Sequence, residues 1–221
     1  EANGVVKLYI EAIKQKDAET ARKLDARTII SNEAAFTLGK LGYRDALDPL
    51  IEETKAPDKT RAIGAALALV SVVRQPEDTA KMTEALLRVY KASDMAQRPQ
   101  LLVAMRHLYA PELLPFLLNV AKTKGTEYGA DAARLYAFQS YALLANKNEI
   151  AAIKAIFDKD ALFKEQLNDH VPLFAAATTC DEAVECWTGK LKDNDKVVLR
   201  KAASMLARFG RGNDKAVHAL V

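Results

Sequence analysis

The sequence predicts an all-α protein, an α-solenoid or superhelix of about six helical hairpins forming a single repeat domain over residues 1–221. Three observations lead there. Alanine supplies much of the apolar half of the chain, and glycine and proline are sparse, at 9 and 7 residues of 221. That composition suits closely packed helices and disfavours many short strands. Apolar positions recur at helical spacing, with no Val/Ile/Thr-rich alternation bracketed by Asn-Gly or Asp-Gly turns. A unit near the start also returns near the end, as repeat architectures require.

The early copy runs Ala34-Ala35-Phe36-Thr37-Leu38-Gly39-Lys40-Leu41-Gly42, then Ala46-Leu47-Asp48-Pro49-Leu50-Ile51. The late copy runs Ala202-Ala203-Ser204-Met205-Leu206-Ala207-Arg208-Phe209-Gly210, then Ala216-Val217-His218-Ala219-Leu220-Val221. Each gives two small residues, a leucine three further on, a bulky apolar residue, a glycine, a polar turn and a second apolar helix. Gly42 and Gly210 stand where a helix C-cap favours positive φ. Looser copies lie between. The segment from Asp58 to Arg74 reads as a helix, broken at Gln75-Pro76-Glu77, with a second to about Tyr90. Ser93–Tyr109 pairs with Pro111–Ala121, Glu127–Ala145 with Asn148–Phe157, and Asp169–Thr178 with Glu182–Leu191. Val5–Lys14 and Ala18–Leu24 read as a degenerate leading pair.

Asp195, Val198, Leu199, Arg200, Ala203, Leu206 and Gly210 together resemble the HEAT-repeat pattern of Asp, apolar residue, Arg, Ala, Leu and Gly. The resemblance, which extends to bacterial HEAT proteins and phycobilin-lyase-like repeat proteins, covers the chain in periodicity and is sharp only in the first and last clear copies. It implies an Asp–Arg ladder between neighbouring repeats at Asp195 and Arg200, approximately at Asp58 and Arg61, and interrupted at Asn32. HEAT motifs specify an architecture far better than a function.

Charge and motifs narrow the function classes. The net charge is +3, and neither half is an obvious polyanion binder. Only the stretch from Lys190 to Lys215 leans basic, which reads as a solvated helix face. No apolar run approaches the roughly 20 residues of a membrane span. The sequence opens at Glu1 with no methionine and stops at Val221 inside an apolar helical pattern, so a longer protein is expected. His107, His170 and His218 lack the His-Glu pairing that HEAT-like iron hydroxylases resemble one another in, so no metal site is expected. No Gly-rich phosphate loop or nucleophile elbow is present, and no cofactor or catalytic residue is assigned.

The single tryptophan, Trp187, sits near the basic stretch and could stack a nucleobase, as in a HEAT-like glycosylase. Asp181, Glu182 and Glu185 on the same helix argue against phosphate, and the plainer reading is that Trp187 fills a gap between repeats with its indole N–H satisfied. In the run Tyr128, Tyr136, Phe138 and Tyr141, positions 138 and 141 share a helix face while 136 points elsewhere.

Cys180 and Cys186 are too few for a disulfide scaffold or a four-ligand protein zinc site. Bacterial HEAT proteins of the Gram-negative envelope look similar here, with a Cys pair just before their last clear repeat, which implies a Cys180–Cys186 disulfide and a periplasmic or envelope location. Six positions of continuous helix span about 9 Å, too long for the ~5.5 Å Cα separation of a bridge. Cys180 is therefore expected outside the helix.

The expected function is non-catalytic: a scaffold or adaptor binding a protein partner on the concave face. Exposed residues of the second helices should form it: Arg44, Asp48, Glu52, Lys81, Glu84, Arg88, Asn119, Lys154, Glu185 and Trp187. First-helix charges such as Lys40 and Arg208 should be dispensable. The alternatives are a nucleic-acid-binding HEAT-like protein and a phycobilin-lyase-like enzyme.

Overall fold

The structure, a computed structural model, describes Thr37 and residues 44–72, 75, 77–166, 170–210 and 212–220. The expected leading pair, Asn32, Lys40 and Gly42 lie outside those residues. Every regular element among the described residues is helical. The chain divides into two compact units, residues 1–108 and 109–221.

In the first unit a 3₁₀ turn, Arg44–Ala46, leads into α1 (Leu47–Glu53). α2 (Lys59–Leu69), α3 (Asp78–Ala92) and α4 (Arg98–Met105) follow. α2 starts where Asp58 accepts a hydrogen bond from the Arg61 backbone N–H at 2.9 Å, a side-chain N-cap. Its buried face is mostly alanine (Ala62, Ala65, Ala66 and Ala68), so its neighbours approach closely. α3 buries Met82, Leu86 and Val89 on one stripe. α1 packs on α2 and α3, and α2 packs on α3 and α4.

The second unit holds α5 (Leu114–Lys122), α6 (Ala130–Leu144), α7 (Ile150–Lys159), α8 (Ala161–Gln166), α9 (His170–Thr179), α10 (Val184–Lys190), α11 (Lys196–Phe209) and α12 (Asp214–Leu220). α8 falls in a stretch the periodicity leaves as connection. It delivers Phe163, fully buried, to an aromatic cluster with Phe138 (ring centroids 4.4 Å apart), Phe157 and Phe174. α7 starts with a reciprocal capping box, in which the Asn146 side chain accepts from the Glu149 N–H and Glu149 accepts from the Asn146 N–H. Phe138 and Tyr141 are core and Tyr136 is exposed, as their shared and divergent faces predict.

Most packing in this unit joins neighbours one or two helices apart. α11 departs from it by lying against α6, five helices earlier. The reason is polar. The Lys201 amine donates to the carbonyls of Ala142, Leu143 and Ala145, and Ser204 also reaches Leu143 O. Arg208 takes Leu144 O at 2.7 Å. Four consecutive carbonyls that a helix C-terminus leaves unpaired are thereby satisfied, by cations placed at the negative end of the helix dipole.

These contacts correct four expectations. Lys201 is fully buried and the Arg208 side chain is 7% exposed, so the basic stretch is not uniformly a solvated face. Arg208 is a structural residue and not a dispensable charge. Gly210 ends α11 with φ −87°, not in the left-handed region. What demands glycine there is closeness, because a Cβ would sit 2.5 Å from both Ala216 Cβ and Leu206 O. Finally, the Asp58 carboxylate caps its own helix and Arg61 turns to Glu53 at 2.5 Å, while Asp195 caps α11 through the Val197 N–H at 2.7 Å. These side chains do local work in place of the implied ladder.

Candidate functional site

Six of the ten expected contact residues belong to the first unit, and the fold gathers them on α1, α3 and the turn before α1. Asp48 and Glu52 project from α1, one turn apart, and Lys81, Glu84 and Arg88 follow the i, i+3, i+7 spacing of one α3 face. Because α1 packs on α3, the two rows adjoin.

The residue that organises them is one the sequence reading missed. Asp78, with its side chain 2% exposed, accepts from Arg44 Nε at 3.2 Å and from the Gln75 backbone N–H at 2.8 Å, and pairs with Lys81 at 3.2 Å. Lys81 also reaches Asp48 at 3.0 Å. Arg44, Asp48 and Lys81 thus form one network through a buried carboxylate. The Gln75 N–H, with help from Lys81 and Arg44, holds Asp78 below the usual carboxylate range despite its burial. Asp48, and behind it Asp78, raise the Lys81 amine against the effect of burial. Its signal in the sequence was positional, since an acid in the first turn after Pro76 is where a side chain bonds back to free N–H groups.

Further along, Glu52 pairs with Lys55 at 2.6 Å, Glu84 lies 3.6 Å from Arg88, and Arg88 donates to Thr54 Oγ1 at 2.9 Å. At that end a cavity of about 330 Å³ opens between the α1–α2 turn and the end of α3. Lys55, Lys59, Arg88 and Thr54 contribute its polar lining, and Ala62, Val89 and Ala92 part of its apolar wall.

The four expected residues of the second unit are not drawn together. Asn119, Lys154 and Glu185 are exposed on α5, α7 and α10. No hydrogen bond or ion pair joins them among the described residues, and Lys154 pairs with Asp158 on its own helix at 2.8 Å. Trp187 is not an exposed contact residue. It is fully buried, with its indole N–H donating to Asp181 O at 2.6 Å. Cys180, Met205, Leu206 and Ala216 surround it, because a large ring is the side chain that fills the gap between α10, α11 and α12.

Cys180 and Cys186 are joined by a disulfide, with Cα atoms 5.8 Å apart. Cys180 lies just after α9, outside any helix, and Cys186 lies within α10, as the reach argument requires. The bridge therefore fixes the turn carrying Asp181, the acceptor of the Trp187 indole. Among the described residues no helix is long and apolar enough to cross a membrane.

Fold and site together define an all-helical protein with a mixed-charge face on one pair of adjacent helices and a disulfide-bonded turn elsewhere. No family model matches the sequence, and no curated protein is significantly similar to it.

Proposed function

We propose that the chain is a HEAT-like solenoid that works as a scaffold or adaptor, docking a protein partner on the α1–α3 face. The observation that carries the reading is the Arg44–Asp78–Lys81–Asp48 network. It holds Arg44 and Lys81 on the buried Asp78 carboxylate, and Asp48 and Glu84, with side chains 82% and 79% exposed, add negative charge to the same face. Fixed charges of mixed sign suit a polar protein surface, giving orientation and on-rate. A phosphate backbone calls for mostly Lys and Arg. The stacking of neighbours one and two helices apart supports the solenoid. The disulfide supports an oxidising location such as the periplasm or cell envelope.

The test is capture of the partner from the native host by the wild-type protein and by Asp48→Lys and Glu84→Lys. Both variants should lose most of the capture while melting within a few degrees of wild type, since exposed substitutions usually stay within about 0.5 kcal/mol. Full capture by both variants would remove this face from the function.

A further inference from the structure

The cavity at the end of the α1–α3 face carries a charge pattern of its own. Its charged lining residues, Lys55, Lys59 and Arg88, are all cationic, and no carboxylate lines it. Their ionic partners stand outside it and in solvent. Glu52 (side chain 61% exposed) holds Lys55, Asp94 (69%) holds Lys59, and Glu84 (79%) holds Arg88. Pairs so exposed are weak and easily exchanged. In addition, Arg88 Nε has no acceptor within the protein, and a donor left unmade is costly in a way a new acceptor would relieve.

We infer that this cavity seats the side-chain carboxylate of the partner polypeptide against Arg88, between Lys55 and Lys59, with the aliphatic stem of that side chain on Ala62 and Val89. The inference rests on the docking reading above and names the chemistry recognised there. Arg88 Nη2 is taken by Thr54, which leaves Nε to donate; a guanidinium N–H to a carboxylate is a strong, charge-assisted hydrogen bond, and an aliphatic wall with few directed polar groups is the usual make-up of a small binding pocket. A phosphate group fits less well. The α2 N-terminus, which would otherwise bind one, is occupied by the Asp58 carboxylate.

The probe is the peptide acetyl-Leu-Glu-Leu-amide, titrated into the oxidised, ¹⁵N-labelled full chain, with acetyl-Leu-Gln-Leu-amide and inorganic phosphate as comparisons. The Glu peptide should give saturable shifts confined to residues 54–62 and 88–93 and to Arg88 Nε, and the Gln peptide should bind at least tenfold more weakly. Arg88→Gln should raise the Kd at least tenfold. Lys59→Gln, at an exposed site whose loss leaves the fold intact, should raise it severalfold with no change in melting temperature. Equal binding of Glu and Gln peptides, no saturable shift, or tighter binding of phosphate at these residues would each overturn the inference. If the peptide fails while Asp48→Lys and Glu84→Lys still abolish partner capture, the inference falls alone and the docking face stands. If the peptide binds and Arg88→Gln leaves capture intact, the cavity has no part in docking and the inference is again overturned.

Discussion

Arg208 grips Glu149 through both terminal nitrogens, at 2.8 and 2.9 Å, across 59 positions of sequence. The guanidinium also donates to Leu144 O and lies over the Phe209 ring, its central carbon 4.6 Å from the centroid. One side chain thereby ties α11 to the turn between α6 and α7.

Removing it should be expensive. Breaking a buried ion pair by taking one partner typically costs 3–5 kcal/mol, and the 28% exposure of Glu149 lowers that. Arg208→Ala is expected to lose about 3 kcal/mol, and Glu149→Gln, which keeps its capping position, about 1 kcal/mol. Urea unfolding followed by Trp187 fluorescence measures both, since the single tryptophan reports on this unit. An unchanged midpoint for Arg208→Ala would contradict the structure.

Lys201 is the second test. Burial and the nearby Arg208 push its amine well below the ordinary lysine value, with Glu149 opposing. The geometry is nonetheless that of an ammonium, because three carbonyl acceptors surround the nitrogen. A neutral amine would turn a lone pair toward one of them. Lys201→Met keeps the apolar stem and leaves those carbonyls without their donor, at a cost of about 2–4 kcal/mol. A variant as stable as wild type would show that water replaces the ammonium.

Acid should weaken both units. The Gln75 N–H lowers Asp78, Arg134 lowers Asp160, and at Glu149 the Arg208 and Asn146 hydrogen bonds outweigh the raising effect of burial. A carboxylate lowered on folding contributes stability that is present above its unfolded value and lost as pH falls through its folded value. The ordinary values are 3.8 for the aspartates and 4.5 for Glu149. Stability should therefore hold from pH 7 to about 5 and fall below that. Asp78→Asn has no proton to gain at this site, so its deficit against wild type should shrink as pH drops from about 5 to 3. Urea midpoints by circular dichroism check this, and a constant deficit over that range would be the wrong outcome.

The disulfide closes a loop of only a few residues, so Cys180→Ala/Cys186→Ala should cost about 2 kcal/mol on the loop-entropy scale. Asp181 O then loses its fixed position under the Trp187 indole, and the emission should move to the red. A blue emission and unchanged midpoint in the variant would show that the bridge constrains nothing.

Much of the fold was legible in the sequence because its signals are local. The alanine-rich 3.6-residue pattern and the Gln75-Pro76-Glu77 break each act within a few residues, whereas Asp58 and Asp195, read as ladder residues, cap their own helices. Given a bridge to Cys186, reach placed Cys180 outside the helix. Part of the α1–α3 face was legible too, since i, i+3 and i+7 spacing puts Lys81, Glu84 and Arg88 on one side of α3. α8 was not, because six residues between longer helices give too short a window for periodicity.

The sequence by itself determined a helical chain and the positions of most of its helices, while the bridge between its two cysteines was implied only by resemblance and is seen in the structure. Only the tertiary structure decided which polar residues go inside. Lys201 and Arg208 read as surface charges, and Asp78 drew no reading, because composition places Lys, Arg and Asp outside unless they are paired. Their partners lie on other elements: Arg44, 34 positions from Asp78, and the carbonyls ending α6, up to 64 positions away. The energy that offsets burying a charge comes from such distant donors and acceptors, and no local pattern in a sequence records where they will be.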